Sequence, residues 1–243
     1  MRFLITHYEG IKSEHLKILV ETLDREFGYC YLVLPNQVFL RGSHKVSEKV
    51  IPYEEIPPLY NSDQTIIVNG TPSDCIRVGK ELFRDKIDLV ITGISPQASL
   101  GYDNYYNANT QASIEANIIG YPSISIHSSA YNMTNLEESL IKVLNLVIKD
   151  ELYKKYPLLN INIPQDPDGI KAAKLGKSLT YPIFNQEEDK AFLLKYSLTQ
   201  PAEEISFDGA AFNNNKITIT PLELLNTQSS SYDSLKKILD KNK

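Results

Sequence analysis

The sequence predicts an α/β protein in which a mainly parallel sheet carries helices on both faces. Three observations predict it: short apolar runs typical of buried strands, stretches with helical spacing between them, and turn or capping residues at the junctions. The expected strands lie at 3–6, 29–34, 65–68, 88–92, 123–127 and 158–163. Strictly alternating strands and helices place a ligand crevice beyond the carboxyl ends of the strands.

The helices are indicated by apolar stripes and by capping residues. From Ser13 to Phe27, apolar residues recur at helical spacing. The best specified start is NGTPSDC at 69–75, where Thr71 is the expected N-cap and Asp74 the acidic member of a capping box. Further helices are expected over about 109–119 and from Thr134 onward.

The alternation of strands and helices ends at about residue 164, after which the sequence is typical of hairpin strands. Residues 1–165 are predicted to form the core that carries the crevice. Residues 166–243 are predicted to form an extension of hairpin strands and a short helix at 233–241, not an independent domain. Within the core, residues 37–62 contain several prolines and scattered charges, which predict a long loop with one short strand.

Composition excludes several classes of protein. The formal charge is −5 and no block of lysine or arginine stands out, which argues against a surface built for a nucleic-acid polymer. Cys30 and Cys75 are the only cysteines, too few for a disulfide framework or a structural zinc site. No apolar run is long enough for a membrane span, and the N-terminal run is too short for a signal peptide. A cytoplasmic protein without a membrane partner is therefore expected.

Five segments at the predicted strand ends carry a family resemblance. They are MRFLITHYEG, NGTPSDC, DLVITGISPQASLG, YDNYYNANTQASIEANIIGYPSIS and LNINIP. In this order they resemble the SurE family, the survival-protein nucleotidases, and GTPSDC is the most specific of them. The resemblance implies a Rossmann-like three-layer α/β/α fold with a C-terminal β-hairpin extension. It also implies that the extension helps to form homodimers or homotetramers.

The resemblance implies a metal-dependent phosphomonoesterase, a 5′/3′-nucleotidase that hydrolyses nucleoside monophosphates. Its partner would be a small nucleotide or phosphate ester, and its cofactor Mn²⁺ or Mg²⁺, with no organic cofactor. The family holds its metal with paired aspartates after the first strand, a serine after the second and an asparagine in a GIN loop. This chain has Tyr8 and Glu9 in place of the pair, Ser95 in place of the asparagine, and Leu40 or Ser43 at the serine position.

Two functions from different classes follow. The first is an enzyme of weak or altered activity, with Glu9, Ser95 and Asn107 as the catalytic residues. The second is a non-catalytic homologue that binds a nucleotide or phosphate, or serves assembly. For the enzyme, the resemblance implies the following candidates: metal ligands Glu9, Ser95 and Ser43, and phosphate-binding residues Asn69, Asn109 and Tyr106.

Histidines offer an alternative metal site. His7 and Glu9 lie on one side of an extended strand, because side chains alternate along it, and His127 follows a neighbouring strand. Together they would suit Zn²⁺ or Mn²⁺. The competing interpretation is that His7 is a hydrogen-bonded crevice residue and His127 a surface residue. The sequence also leaves open whether Tyr8 fills the ion position or stacks on a base.

Overall fold

The computed structural model describes residues 1–187, 190–198, 203–224, 232 and 235–238. Eleven strands are assigned within these ranges. They are β1 (Arg2–Thr6), β2 (Tyr29–Pro35), β3 (Tyr53–Ile56), β4 (Gln64–Val68), β5 (Leu89–Ser95), β6 (Ser123–Ser128), β7 (Leu158–Ile163), β8 (Ile170–Ala172), β9 (Leu179–Glu187), β10 (Lys190–Leu198) and β11 (Ile217–Pro221). Nine of them form one sheet in the order β3-β4-β2-β1-β5-β6-β7-β11-β8, and β9 pairs with β10 in a separate antiparallel hairpin.

Six α-helices lie among the described residues. They are α1 (Glu14–Glu26), α2 (Pro72–Phe83), α3 (Ala108–Ile118), α4 (Met133–Leu144), α5 (Leu152–Lys155) and α6 (Asp208–Asn213). The apolar residues of α1 and α4 pack into one core on one face of the sheet, and those of α2 and α3 pack into a second core on the other. The fold is therefore a three-layer α/β/α sandwich, as the sequence predicted.

The sheet reverses its order at β1. After β1 the chain adds β2 and β4 on one side, then crosses to β5, β6 and β7 on the other, with parallel pairing throughout. Such a reversal leaves a crevice outside the carboxyl ends of the two central strands. Here those strands are β1 and β5, and their ends carry Glu9 and Ser95.

Most local predictions are confirmed. Thr71 accepts from the backbone N–H of Asp74, and the Asp74 carboxylate accepts from that of Thr71, so the predicted capping box is complete. The long loop contains one short strand, β3, at an edge of the sheet. The predicted start of α4 was wrong, because Asn132 and not Thr134 is its N-cap.

The C-terminal segments divide between the sheet and the hairpin. The predicted hairpin exists as β9 and β10, whereas β11 joins the main sheet, antiparallel to β7 and parallel to β8. The buried Asp208 carboxylate, at the start of α6, accepts hydrogen bonds from the N–H groups of Gly101, in the loop after β5, and of Gly176, just before β9. Most of the helix expected at 233–241 lies outside the described residues.

Candidate functional site

The crevice at the β1–β5 reversal is formed by the loops that follow β1, β2 and β5. The N–H of Tyr8 donates to Oδ1 of Asn109 at 2.9 Å, which ties the first loop to the start of α3. The N–H of Phe39 donates to the carbonyl of Tyr8, also at 2.9 Å, which ties the second loop to the first. The candidate residues after β1, β2 and β5 are therefore brought together by the fold.

Both ring nitrogens of His7 are bonded to protein groups. Nδ1 accepts from the N–H of Glu9 at 3.0 Å, so the proton of the neutral ring is on Nε2, which donates to the carbonyl of Ile94 at 2.8 Å. The ring is fully buried, and burial lowers the pKa of His7 to about 4, against the opposing effect of the Ile94 bond. This agrees with the hydrogen-bonded interpretation of His7 and leaves no nitrogen free for a metal ion.

Behind the crevice, five neutral side chains form a continuous hydrogen-bonded chain, here called the buried relay: Asn109, Ser95, His127, Thr110 and Asn104. Nδ2 of Asn109 donates to Oγ of Ser95 at 2.9 Å, and Ser95 lies 3.0 Å from Nδ1 of His127. Nε2 of His127 lies 3.1 Å from Oγ1 of Thr110, which donates to Oδ1 of Asn104 at 3.3 Å. All four hydrogen bonds form together when the Ser95 hydroxyl donates to Nδ1 of His127 and Nε2 of His127 donates to the Thr110 hydroxyl.

All members of the buried relay are inaccessible or nearly so. The expectation that His127 lies at the surface was wrong, because the strand end is covered by α3 and the loop after β5. Burial lowers the pKa of His127 to about 3, although a hydrogen bond with Asn160 acts in the opposite direction. Both ring nitrogens of His127 are thus bonded to protein hydroxyl groups, which leaves neither free for a metal ion.

Of the four positions that the resemblance assigns to metal ligands, one carries a carboxylate in this chain. The Tyr8 phenol is 2% exposed, and burial and the nearby Glu9 carboxylate raise its pKa, so it stays neutral. Leu40 is exposed and has no donor atom, and Ser95 already serves the buried relay. Glu9 is the one carboxylate of the set, and its Oε2 lies 3.9 Å from Nε2 of the neutral His7 ring. Across the described ranges, no group of three or more His, Cys, Asp or Glu side chains is placed to hold a metal ion.

The other candidates occupy different environments. Asn107 is the N-cap of α3, where its oxygen accepts from the N–H groups of Asn109 and Thr110. The Tyr106 ring is 44% exposed at the crevice rim. Asn69 is exposed at the end of β4 and accepts from the Asn36 amide at 3.1 Å. Ser43 is exposed, and its N–H donates to the Tyr106 carbonyl.

A charged cluster beside the crevice was missed by local pattern. Glu115 on α3 is 2% exposed, and its carboxylate accepts from Nε of Arg77 and lies near Nε2 of His44, both at 2.6 Å. Local sequence pattern does not reveal this cluster, because His44 and Arg77 lie 71 and 38 residues from Glu115 along the chain.

Comparisons with known proteins agree with this architecture. The model of the family described as survival protein SurE matches residues 3–181. A protein named 5′-nucleotidase SurE from Clostridium botulinum (strain Alaska E43 / Type E3) is 30% identical over 262 residues, covering 99% of this chain and 100% of the relative. A second, from Petrotoga mobilis, is 26% identical over 252 residues with the same coverage.

A solved structure shows the same fold. The crystal structure of SurE protein from Aquifex aeolicus superimposes with a TM-score of 0.79 at 23% identity, covering 98% of this chain and 99% of that one. Within the part of the chain that is described, no helix is both long and apolar enough to cross a membrane. On the family match and the full-length relatives, the chain belongs to the survival protein SurE family.

Proposed function

We propose that this protein is a SurE-type phosphomonoesterase for nucleoside monophosphates or a related phosphate ester, with a degenerate metal site and therefore weak or altered hydrolysis. The observation that carries this proposal is the full-length match to relatives named 5′-nucleotidase. The crevice at the β1–β5 reversal supports it, since this is where an open α/β sheet binds its ligand.

The weak hydrolysis is expected because the crevice offers few negatively charged ligands for the metal ion. Mg²⁺ and Mn²⁺ favour anionic oxygen ligands, and each carboxylate near a dication contributes a Coulomb energy of several kcal/mol at an effective dielectric constant of about 20. Glu9 alone supplies such an oxygen here, and it is one methylene longer than aspartate. A shifted or weakly held ion would be badly placed to act on phosphorus.

A second candidate function is binding without hydrolysis. The observation that favours it is the buried relay, which fills the region beside Ser95 with neutral groups that already satisfy one another. Such an arrangement needs no ion for its stability.

Two further features belong to the proposal. The β9–β10 hairpin forms its own two-stranded sheet apart from the main one, which supports this part of residues 166–243 as an extension used for homodimer or homotetramer assembly, whereas β8 and β11 of the same range belong to the main sheet. A cytoplasmic location and a divalent metal remain part of the proposed nucleotidase.

The test is a phosphatase assay with nucleoside monophosphates and p-nitrophenyl phosphate in Mn²⁺, Mg²⁺, Co²⁺ or Zn²⁺. The enzyme proposal predicts slow, ion-dependent release of phosphate that Glu9→Gln abolishes and that the exposed control Glu54→Gln preserves. No release with any ion, together with calorimetric binding of a nucleotide, would select the second function. Neither release nor binding would reject both.

A further inference from the structure

Three exposed tyrosines stand on one short turn at the rim of the crevice. The turn is the 3₁₀ segment Gly101–Tyr105, which follows the loop after β5. Tyr102, Tyr105 and Tyr106 are 42%, 64% and 44% exposed, and they are called here the tyrosine shelf. Three exposed tyrosines within five positions of the chain indicate an interaction surface, because exposed aromatic residues are ordinary singly but not in groups.

The turn beneath the shelf is held rigidly. The N–H of Gly101 donates to the buried Asp208 carboxylate and that of Tyr102 to the Ser178 carbonyl, both at 2.7 Å. Asn104, between the tyrosines, is buried and belongs to the buried relay. Gly101 has φ +52°, and a Cβ there would lie 2.6 Å from the Ser178 nitrogen, so this close approach requires glycine.

Exposed tyrosine rings on an anchored turn are suited to a planar ligand. Tyrosine rings offer large contact area with few rotatable bonds, so little conformational freedom is lost when a ligand binds. Every nucleobase has a π-face that can stack on such a ring. Tyr8 cannot serve this purpose, because it is 2% exposed.

The charge beside the shelf identifies the kind of ligand. The loop after β2 presents exposed Arg41, Lys45 and Lys49 and one acid, Glu48, in a chain whose net charge is −5. Arg41 donates to the Thr180 carbonyl and lies near Asp103 of the shelf turn, so the positive charge offered to a ligand comes mainly from Lys45 and Lys49. This loop meets the shelf directly, since the N–H of Ser43 donates to the Tyr106 carbonyl. An aromatic platform next to a locally basic loop is complementary to a molecule with both a flat ring and a negative charge.

We propose that the tyrosine shelf binds the base of a nucleoside monophosphate whose phosphate is directed toward the basic loop after β2. This inference rests on the proposed function, because it names the part of the same crevice that selects a nucleotide over other phosphate esters. The shelf is thus a specificity determinant, and binding through it requires no metal ion.

The test is isothermal titration calorimetry in EDTA with AMP and with ribose 5-phosphate, which lacks the base. The wild-type protein should bind AMP more tightly than ribose 5-phosphate. Tyr105→Ala should weaken AMP binding about fivefold or more and leave ribose 5-phosphate unchanged. Tyr105→Phe, which keeps the ring, should retain AMP affinity. Tyr29→Ala, an equally exposed tyrosine at the opposite, amino end of β2, is the matched control.

The outcomes separate the two proposals. Equal affinity for AMP and ribose 5-phosphate, with no effect of Tyr105→Ala or Tyr106→Ala, would overturn the shelf and leave phosphate-ester binding in place. No binding of either compound by wild type would overturn both. If Tyr105→Ala changed the oligomeric state in sedimentation but not AMP affinity, the shelf would be a contact between copies of the chain, and the proposal would be wrong.

Discussion

The Oγ atom of Ser95 lies 3.0 Å from Nδ1 of His127, and both residues are completely buried. Ser95 ends β5 and His127 lies near the end of β6, where the two residues pair just after a register shift between Gly93 and Ser95. The same hydroxyl also accepts from the Asn109 amide. One serine therefore joins two strands of the sheet to the start of α3.

Replacing this serine should reduce stability. In Ser95→Ala, the Asn109 amide and His127 Nδ1 each lose a partner in a buried site, and the free energy of unfolding should fall by about 2 kcal/mol. Urea denaturation followed by circular dichroism measures it. Ser43→Ala, at an exposed serine, is the control and should change stability by less than about 0.5 kcal/mol. Equal stability of the two variants would show that the buried relay contributes little.

Stability should also depend on pH through the two buried histidines. Their pKa values are lowered to about 4 for His7 and about 3 for His127, from about 6.5 in the unfolded chain. Between pH 6.5 and pH 4 the unfolded state binds more protons than the folded state. The free energy of unfolding is therefore highest above pH 6.5 and falls as the pH is lowered toward 4. Each histidine should contribute a slope of about 1.4 kcal/mol per pH unit in this window.

Urea unfolding measured from pH 7 to pH 4.5 tests the slope. NMR of the imidazole C–H signals tests the assignment, because His7 and His127 should remain neutral at pH 5 in the folded protein. Titration of either ring near pH 6.5 in the native state would contradict the prediction. Unfolded-state carboxylates titrate near 4, so they affect mainly the lower end of the range.

The sequence predicted what depends on local pattern and missed what depends on distant partners. The capping box of Thr71 and Asp74 was predictable because all its atoms belong to one turn. The burial of His127 was not, because it arises from α3 and the loop after β5, which meet β6 only in the folded sheet. The family resemblance identified which positions to inspect, whereas only the structure gave the hydrogen bonds that occupy them.

Divalent ions at about 1 mM should not stabilise the protein, because Glu9 is the one carboxylate at the four candidate ligand positions. A ligand that binds only the native state raises stability by RT ln(1 + [L]/Kd), so Mn²⁺ or Mg²⁺ near 1 mM should leave the melting temperature unchanged when Kd is well above that concentration. EDTA should have no effect either. Thermal melts by differential scanning fluorimetry check both. A rise with Mn²⁺ that disappears in Glu9→Gln would contradict this prediction, because it would mean that Glu9 holds the ion tightly, with a Kd below about 1 mM.

The last prediction concerns the loop at residues 43–47, which is attached to both α2 and α3. Ser47 donates its N–H and its hydroxyl to Asp74 at 2.7 Å, Thr71 donates to the Lys45 carbonyl at 2.6 Å, and His44 meets Glu115. Glu115→Gln removes the charge that holds His44 and Arg77. We expect a loss of about 1–2 kcal/mol, less than for a fully buried ion pair, because both partners are partly exposed.

Hydrogen exchange should locate the effect. Amides at residues 44–47 should exchange faster in Glu115→Gln, because the loop keeps its attachment to α2 but loses the one to α3. Glu137→Gln is the matched control: it breaks the exposed pair with Arg25 and should cost less than about 1 kcal/mol without changing this loop. Unchanged exchange in both variants would mean that Asp74 and Thr71 alone fix the loop. The basic side chains beside the tyrosine shelf would then be positioned independently of Glu115.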